Sequence, residues 1–486
     1  MHHCFKQIAL TLLATSGIML SSVVSAQPEP ANLSLTACHV EGIKSQMQCG
    51  TLTVPENYQL PQGNTININF VRVPAIDNHE HQLPFVFLAG GPGQAAVELA
   101  APMVKLFKKV RYTHDIIFID QRGTGKSHPL QCNNVISENA YQMLPENFSQ
   151  QDVKTCLATL TGDLSQYNSE NAVRDFNAVR VALGYQQWHV YGGSYGTRAA
   201  LVYLHLFPAT LRSVVLDSVA PLEIPIGLFG QSGAQSFTKL LTHCQQNKAC
   251  HQAFPALASE FNQLIARVSL APIQVKIPHP RLGTPTDFVI SRTKLLGEIR
   301  MQLYSVQMRS LVPLVIHQAY LGNYLPLAGL IAQSDGNTPM YLGLTLNIMC
   351  NEDFPRITPA MFAADANNNF DGDNSVKILQ QSCPIWPQYR PSAQFYQPVT
   401  ANVPTLILSG GLDPVTPPSN GVFLLKTLPD SHQIIVENSA HIVASHSCAP
   451  TIISEFITTL NPKKLDESCL KNVPEETFMT SLNGSL

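Results

Sequence analysis

The stretch that decides the fold is Gln187-Trp188-His189-Val190-Tyr191-Gly192-Gly193-Ser194-Tyr195-Gly196-Thr197-Arg198-Ala199-Ala200-Leu201. Residues 187–191 form a short buried-strand run, and an apolar segment of helical spacing occupies 195–206 and stops before Pro208. Between them, Gly192, Gly193 and Gly196 surround Ser194. A backbone that doubles back this sharply needs small neighbours and forces the serine outward at the top of a sheet. Ser194 is therefore the candidate nucleophile.

Outward from this point, further apolar runs at 84–89, 115–120, 213–216, 404–409 and 432–436 alternate with helical stretches. Such a pattern describes an α/β protein with a mostly parallel sheet covered by helices on both faces. Residues 50–55 and 65–73 read as antiparallel strands at its start. Between about 221 and 401 the strand signal disappears, and apolar residues recur at helical spacing in 237–244, 254–268, 294–304 and 311–321. The sheet resumes at Pro404, so the division expected is a first core part at 27–220, an inserted helical cap at 221–401 and a second core part at 402–486.

The 486 residues carry 30 Lys and Arg against 33 Asp and Glu, a net charge of −3, which argues against a broad phosphate-binding surface and so against nucleic acid as a partner. At 45% hydrophobic and only 13% charged, the chain is expected to fold along most of its length. Residues 1–26, with Lys6, an apolar run and Val24-Ser25-Ala26, read as a cleaved leader. The expected location is secreted or periplasmic, with no membrane association after cleavage. Without Cys4, ten of the 11 cysteines remain, an even number suited to an oxidising compartment. Sequential pairing is expected: Cys38 with Cys49, Cys132 with Cys156, Cys244 with Cys250, Cys350 with Cys383, and Cys448 with Cys469. His243-Cys244 and Cys250-His251 could instead offer zinc ligands, but they lack CxxC spacing, and no metal or other cofactor is expected. Residues 363–374 space Asp365, Asn367 and Asn369 as a calcium loop would. Phe370 and Val376 stand where glycine and the final acid belong, which favours a solvated loop.

A serine hydroxyl needs a base, and the base needs an orienting carboxylate. The run 404–409 leads into Gly410-Gly411-Leu412-Asp413, and 432–436 leads into Asn438-Ser439-Ala440-His441. Both lie just past strand C-terminal ends, where an open α/β sheet builds its site. Ser194, Asp413 and His441 are the expected catalytic residues, in the chain order this mechanism uses on such a fold. His446 and His432 are rivals for the base, and Asp217 for the acid. An oxyanion requires two N–H donors; Gly90-Gly91-Pro92-Gly93 follows the first apolar strand, so the Gly91 and Tyr195 amides are the expected pair. Asp120-Gln121-Arg122-Gly123-Thr124-Gly125-Lys126-Ser127 ends like a phosphate-binding loop, but Asp120 occupies the position of its first glycine. Arg122 is expected to brace the surrounding loops through buried ion pairs.

Gly90-Gly91-Pro92-Gly93, Asp120-Gln121-Arg122-Gly123-Thr124-Gly125 and Gly192-Gly193-Ser194-Tyr195-Gly196-Thr197 together resemble the serine aminopeptidases of the α/β-hydrolase superfamily, namely proline iminopeptidases and secreted tripeptidyl aminopeptidases. The similarity spans nearly the whole mature chain, and the Cys448/Cys469 pair with the helical insertion is more similar to the tripeptidyl type. Ala89 replaces the histidine that often precedes the double glycine. The resemblance implies an α/β-hydrolase fold and release of one to three residues from peptides with a free amino end, the cap excluding longer or blocked substrates. It also implies acidic side chains that hold the α-amino group. Glu352 and Asp353, in Cys350-Asn351-Glu352-Asp353, are the first candidates and Glu223 the second. An exported carboxylesterase or lipase would use the same three catalytic residues, and a non-catalytic hydrolase-fold binding protein would normally lack one of them. Oligomeric state is not legible.

Overall fold

The computed structural model describes residues 33–483 apart from 34, 78, 80–81, 134–140, 142–148, 280–281, 335–339, 368–369 and 371–373. The leader expected at 1–26 lies outside the described residues. Among the described residues, seven strands precede the insertion: β1 (Thr36–Cys38), β2 (Met47–Pro55), β3 (Thr65–Val73), β4 (Phe85–Leu88), β5 (Ile116–Ile119), β6 (Trp188–Gly193) and β7 (Leu211–Asp217). A separate hairpin, β8 (Ile273–Pro278) and β9 (Pro285–Ile290), is followed by β10 (Thr405–Gly410) and β11 (Ser431–Val436). The nine-stranded sheet runs β1-β2-β3-β5-β4-β6-β7-β10-β11. Pairing is antiparallel from β1 to β5 and parallel from there to β11.

Burial explains why the central strands lack alternation. Every residue of β4, β5, β6 and β10 is buried, while β3 alternates along its first half because one face there is solvated. Val86, Ile117, Val190, Val214 and Ile407 point into one core with Leu201 and Leu204 of the helix Tyr195–Leu206. Phe85, Phe118, Tyr191, Val215 and Leu408 point into the other, with Phe107, Ile453 and Phe456. The sheet is thus covered on both faces, as a doubly wound α/β protein requires.

Thr405 to Leu408 pair directly with Val214 to Asp217, so everything between these neighbouring strands is one excursion from the sheet. It folds around its own core, in which Phe237 and Leu240 of the helix Gly230–Gln246 meet Phe261, Leu296, Ile299, Val312 and Ile316. The expectation of helices alone is corrected by the β8–β9 hairpin. Ile273, Val275 and Ile277 do alternate, but prolines bracket the run, and Lys276 and Asp287 form a cross-strand ion pair at 2.6 Å on its exposed face. A two-stranded ribbon this exposed carries little of the apolar signal by which strands are read.

Among the described residues, five disulfides join Cys38–Cys49, Cys132–Cys156, Cys244–Cys250, Cys350–Cys383 and Cys448–Cys469. Cys244 and Cys250 are therefore bonded to each other, and His243 meets Glu476 at 3.2 Å, so the four residues weighed as zinc ligands do not converge. Asp365 accepts the N–H groups of Gly230 and Gln231, both at 3.0 Å, and caps a helix. Among the described residues, no helix is long and apolar enough to cross a membrane.

Candidate active site

Ser194 sits between β6 and the helix Tyr195–Leu206 with φ 55° and ψ −124°, a conformation that L-residues rarely adopt. The glycines around it are steric requirements. A Cβ on Gly192 would lie 2.2 Å from the Gly196 carbonyl oxygen, and one on Gly196 would lie 2.2 Å from that of Leu88. Ser218 and Ile442, each with φ 63°, are two more strained non-glycine residues, and both adjoin this elbow. Strain of this kind costs about 1–3 kcal/mol per residue and persists where the surroundings over-determine the backbone.

Asp217, at the end of β7, is the common anchor. Its carbonyl accepts the Ser194 N–H at 3.0 Å. Its carboxylate accepts the Tyr191 hydroxyl at 2.8 Å and the N–H groups of Val443 and Ala444 at 2.8 and 2.9 Å. Ser218 Oγ accepts the Ile442 N–H at 2.8 Å. The turn carrying His441 is thereby tied to the strand end that holds Ser194. Burial pushes the Asp217 carboxyl up to about 6, opposed by those donors. Asp217 thus anchors the histidine turn, and the hydrogen-bonded partner of the ring is Asp413.

His441 Nδ1 lies 2.8 Å from Asp413 Oδ2. Asp413 Oδ1 accepts the N–H groups of Val415 and Thr416 at 2.8 and 2.9 Å, and Oδ2 accepts the Thr416 hydroxyl at 2.7 Å. Burial raises the Asp413 carboxyl, but His441 and the Thr416 donors outweigh it and leave the group below the usual carboxylate range. Burial lowers the His441 ring, and the charge and hydrogen bond of Asp413, with Asp217 behind, overcome this and raise it above 6.5. His446 is half-buried with its ring pushed down by burial, and His432 pairs with Glu467, so neither rival meets Asp413.

The Gly90–Gly93 loop lies against Ser194: a Cβ on Gly90 would stand 3.3 Å from Ser194 Cβ. Gly91 is exposed with φ 110°, and Tyr195, as the first helical residue, has an N–H without an intrahelical acceptor. The insertion closes over this loop. Thr345 Oγ1 donates to the Pro92 carbonyl at 2.6 Å, and the Tyr341 N–H donates to that of Gly93 at 2.9 Å. Tyr304, also from the insertion, accepts the His441 N–H on its carbonyl at 3.1 Å and sets its ring edge-on to the imidazole at 5.0 Å.

The three acidic candidates are placed differently. Asp353 is fully buried and pairs with Arg198 at 2.5 Å, while also accepting the Ile226 N–H at 2.8 Å. Glu352 is buried beneath Tyr195, taking the Ser169 N–H and hydroxyl at 2.8 and 2.6 Å and the Tyr389 hydroxyl at 3.0 Å. Ser169 in turn lies 2.7 Å from the Tyr195 hydroxyl. Burial pushes Glu352 up to about 7, opposed by the Ser169 donors. Glu352 is thus occupied within the protein, and Asp353 is engaged through Oδ1, its buried Oδ2 meeting no donor among the described residues. Glu223 Oε2 is buried and meets no donor among the described residues.

Arg122 is the brace expected of it: fully buried, it forks onto Asp175 at 2.6 and 2.7 Å and donates to the Glu56 and Gln166 carbonyls at 2.7 and 2.9 Å. Asp120 fills the neighbouring turn, accepting N–H groups from Val97 and Lys126. Thr416, Tyr304 and Ser169 were not singled out from the sequence. Only Thr416 had a signal, because an aspartate capping the amides two and three residues on forms an Asx-turn.

The sheet order and the strand–serine–helix elbow define an α/β hydrolase. Residues 84–274 match the family model described as alpha/beta hydrolase fold, and residues 369–469 match the one described as TAP-like protein. The serine protease Hip1 of Mycobacterium tuberculosis is 27% identical, with 84% of each chain covered. The tripeptidyl aminopeptidase of Streptomyces lividans is 26% identical over 41% of this chain and 40% of its own. The proline iminopeptidase of Aeromonas sobria is 28% identical over 44% and 45%. The chain thus has the α/β-hydrolase fold and is similar to peptidases that share it.

Proposed function

We propose that the protein is an exported serine aminopeptidase, releasing one to three residues from peptides with a free amino end through an acyl-enzyme. The observation that carries this reading is the Asp413–His441 pair, anchored through Asp217 to the same strand end as Ser194. With Nδ1 engaged by Asp413, Nε2 is the nitrogen left to take the Ser194 proton as Oγ attacks the carbonyl. Asp413 stabilises the imidazolium, and the Gly91 and Tyr195 amides hold the oxyanion. The imidazolium then protonates the leaving amine, and water, deprotonated by the same ring, releases the acyl group.

Peptide chemistry is supported by the names of the relatives, and an oxidising compartment outside the cytoplasm by the five disulfides. Glu223 Oε2 and Asp353 Oδ2 are both partnerless among the described residues, but Asp353 already pairs with Arg198, so the amine anchor falls to Glu223, while Glu352 holds Ser169, which meets Tyr195. The insertion acts as the cap that limits substrate length.

The test compares aminoacyl and peptidyl arylamides, each with a free or acetylated amino end, against simple acyl esters. Cleavage of the free-ended amides, lost on acetylation and weakened in KM by Glu223→Gln, is expected. Hydrolysis of the esters alone would identify a carboxylesterase, and failure of a serine-reactive fluorophosphonate to label Ser194 would identify a binding protein.

A further inference from the structure

The loop that carries Asp413 is held from two sides. Its amides face β11 and the turn beyond it: the Gly411 N–H donates to the Val436 carbonyl and the Leu412 N–H to that of Ser439, both at 2.9 Å. Its carbonyls face one helix of the insertion, Gly230–Gln246. From that helix Ser232 Oγ donates to the Pro414 carbonyl at 2.8 Å, Ser236 Oγ to that of Leu412 at 2.6 Å, and Lys239 Nζ to that of Gly411 at 2.7 Å. Positions 232, 236 and 239 are four and three residues apart, so they share one face of the helix and form a polar stripe matched to this loop.

The helix is itself fixed. Asp365 caps its first turn, and the Cys244–Cys250 disulfide secures its last. Ser236, 2% exposed, also accepts a hydrogen bond from Arg309 Nη1 at 2.8 Å. Arg309 is fully buried and pairs through Nε with Glu476 of the C-terminal segment at 2.8 Å. Glu476, Arg309 and Ser236 thus form a buried chain that ends on the carbonyl of the residue before Asp413. A buried carbonyl deprived of its donor costs about 1–3 kcal/mol, so the loop has a strong reason to keep this register.

We propose, resting on the catalytic reading above, that the helix Gly230–Gln246 is a positioning element for the catalytic acid, with Ser236 as its central contact. It sets the 411–414 backbone so that the Asp413 carboxylate meets His441. Ser236 touches neither the carboxylate nor the ring; it acts through the Leu412 carbonyl. The insertion is thereby part of the catalytic apparatus as well as a cover over it.

The test follows the rate at which a fluorophosphonate labels Ser194 as a function of pH in the full disulfide-bonded protein, a readout independent of peptide specificity. Labelling requires a neutral His441. The groups facing that ring are Asp413, Asp217 and Tyr304, with Arg300 behind the Tyr304 hydroxyl; Lys239, Arg309, Glu476 and His243 flank the acid loop. Ser236→Ala is expected to label about tenfold more slowly and to move the acid limb to lower pH, because a misaligned Asp413 no longer raises the ring. Ser236→Thr, which keeps the hydroxyl, is expected to restore both. Glu476→Gln is expected to shift both in the same direction by less, and it carries the test if Ser236→Ala does not fold. An unmoved acid limb in Ser236→Ala, whether or not the rate falls, overturns the positioning role. Absence of labelling in the unaltered protein overturns the catalytic reading itself, and the positioning role with it.

Discussion

Asp217 links the chain at Ser194 to the turn that follows His441: its carbonyl takes the Ser194 N–H at 3.0 Å and its carboxylate takes the Val443 and Ala444 N–H groups at 2.8 and 2.9 Å. Asp217→Asn puts an amide nitrogen where one oxygen accepts, leaving a buried N–H or the Tyr191 hydroxyl without a partner. A stability loss of about 1–3 kcal/mol is expected. Because the His441 turn moves with it, kcat should fall by about tenfold or more, with KM changed far less; urea unfolding and steady-state kinetics on one arylamide measure both.

Removing the charge of Asp413 has a different signature. Asp413→Asn should lower kcat on the order of 10⁴-fold, since the amide favours the wrong imidazole tautomer. In the unaltered protein the His441 ring is raised above 6.5, and only its neutral form accepts the Ser194 proton. Activity should therefore fall as pH drops through that raised value, and the residual activity of the variant should show its acid limb at lower pH. A pH profile of kcat/KM checks this.

Thr416 donates its hydroxyl to Asp413 Oδ2 at 2.7 Å. Thr416→Val keeps the shape and removes the donor, whereas Thr416→Ser keeps the donor. The valine variant is expected to lose about tenfold in kcat and the serine variant less than about threefold, since one hydrogen bond to a charged group is worth about 1.5–3 kcal/mol and neighbouring amides remain. Kinetics of the two variants side by side distinguish the hydroxyl from the methyl.

Glu352 is pushed up to about 7 from an ordinary 4.5, so the folded protein holds this proton more tightly than the unfolded chain. The resulting stability is present below about 4.5 and is lost as pH rises through 7. Glu352→Gln should remove that slope, which amounts to roughly 3 kcal/mol between about pH 4.5 and 7.5, since each tenfold difference in proton affinity between the folded and unfolded chain is worth about 1.36 kcal/mol. Melting temperatures of both proteins across this range are the measurement; parallel curves would show that Glu352 does not titrate there.

Much of the core was legible because parallel strands buried on both faces read as uninterrupted apolar runs; β4, β5, β6, β7, β10 and β11 all fall within two residues of their expected bounds. The placement of Ser194, Asp413 and His441 just past strand ends was legible for a related reason, since the chain must turn there. The brief edge strand β1, three residues long with two exposed, carries no such periodicity. Glu352 and Asp353 show a deeper limit. Two adjacent acids in a sequence look available to a substrate, and only the fold brings Arg198 and Ser169 to them. The stripe formed by Ser232, Ser236 and Lys239 was hidden likewise, because its partners are backbone carbonyls far along the chain.

Among the described residues, every disulfide joins a cysteine to the next one along the chain, across separations of only 6 to 33 residues. A polypeptide threaded amino end first into an oxidising space would expose each native pair before any competing thiol arrived. Vectorial emergence alone then selects the correct cross-links, and a thiol isomerase has few mismatched bonds to repair.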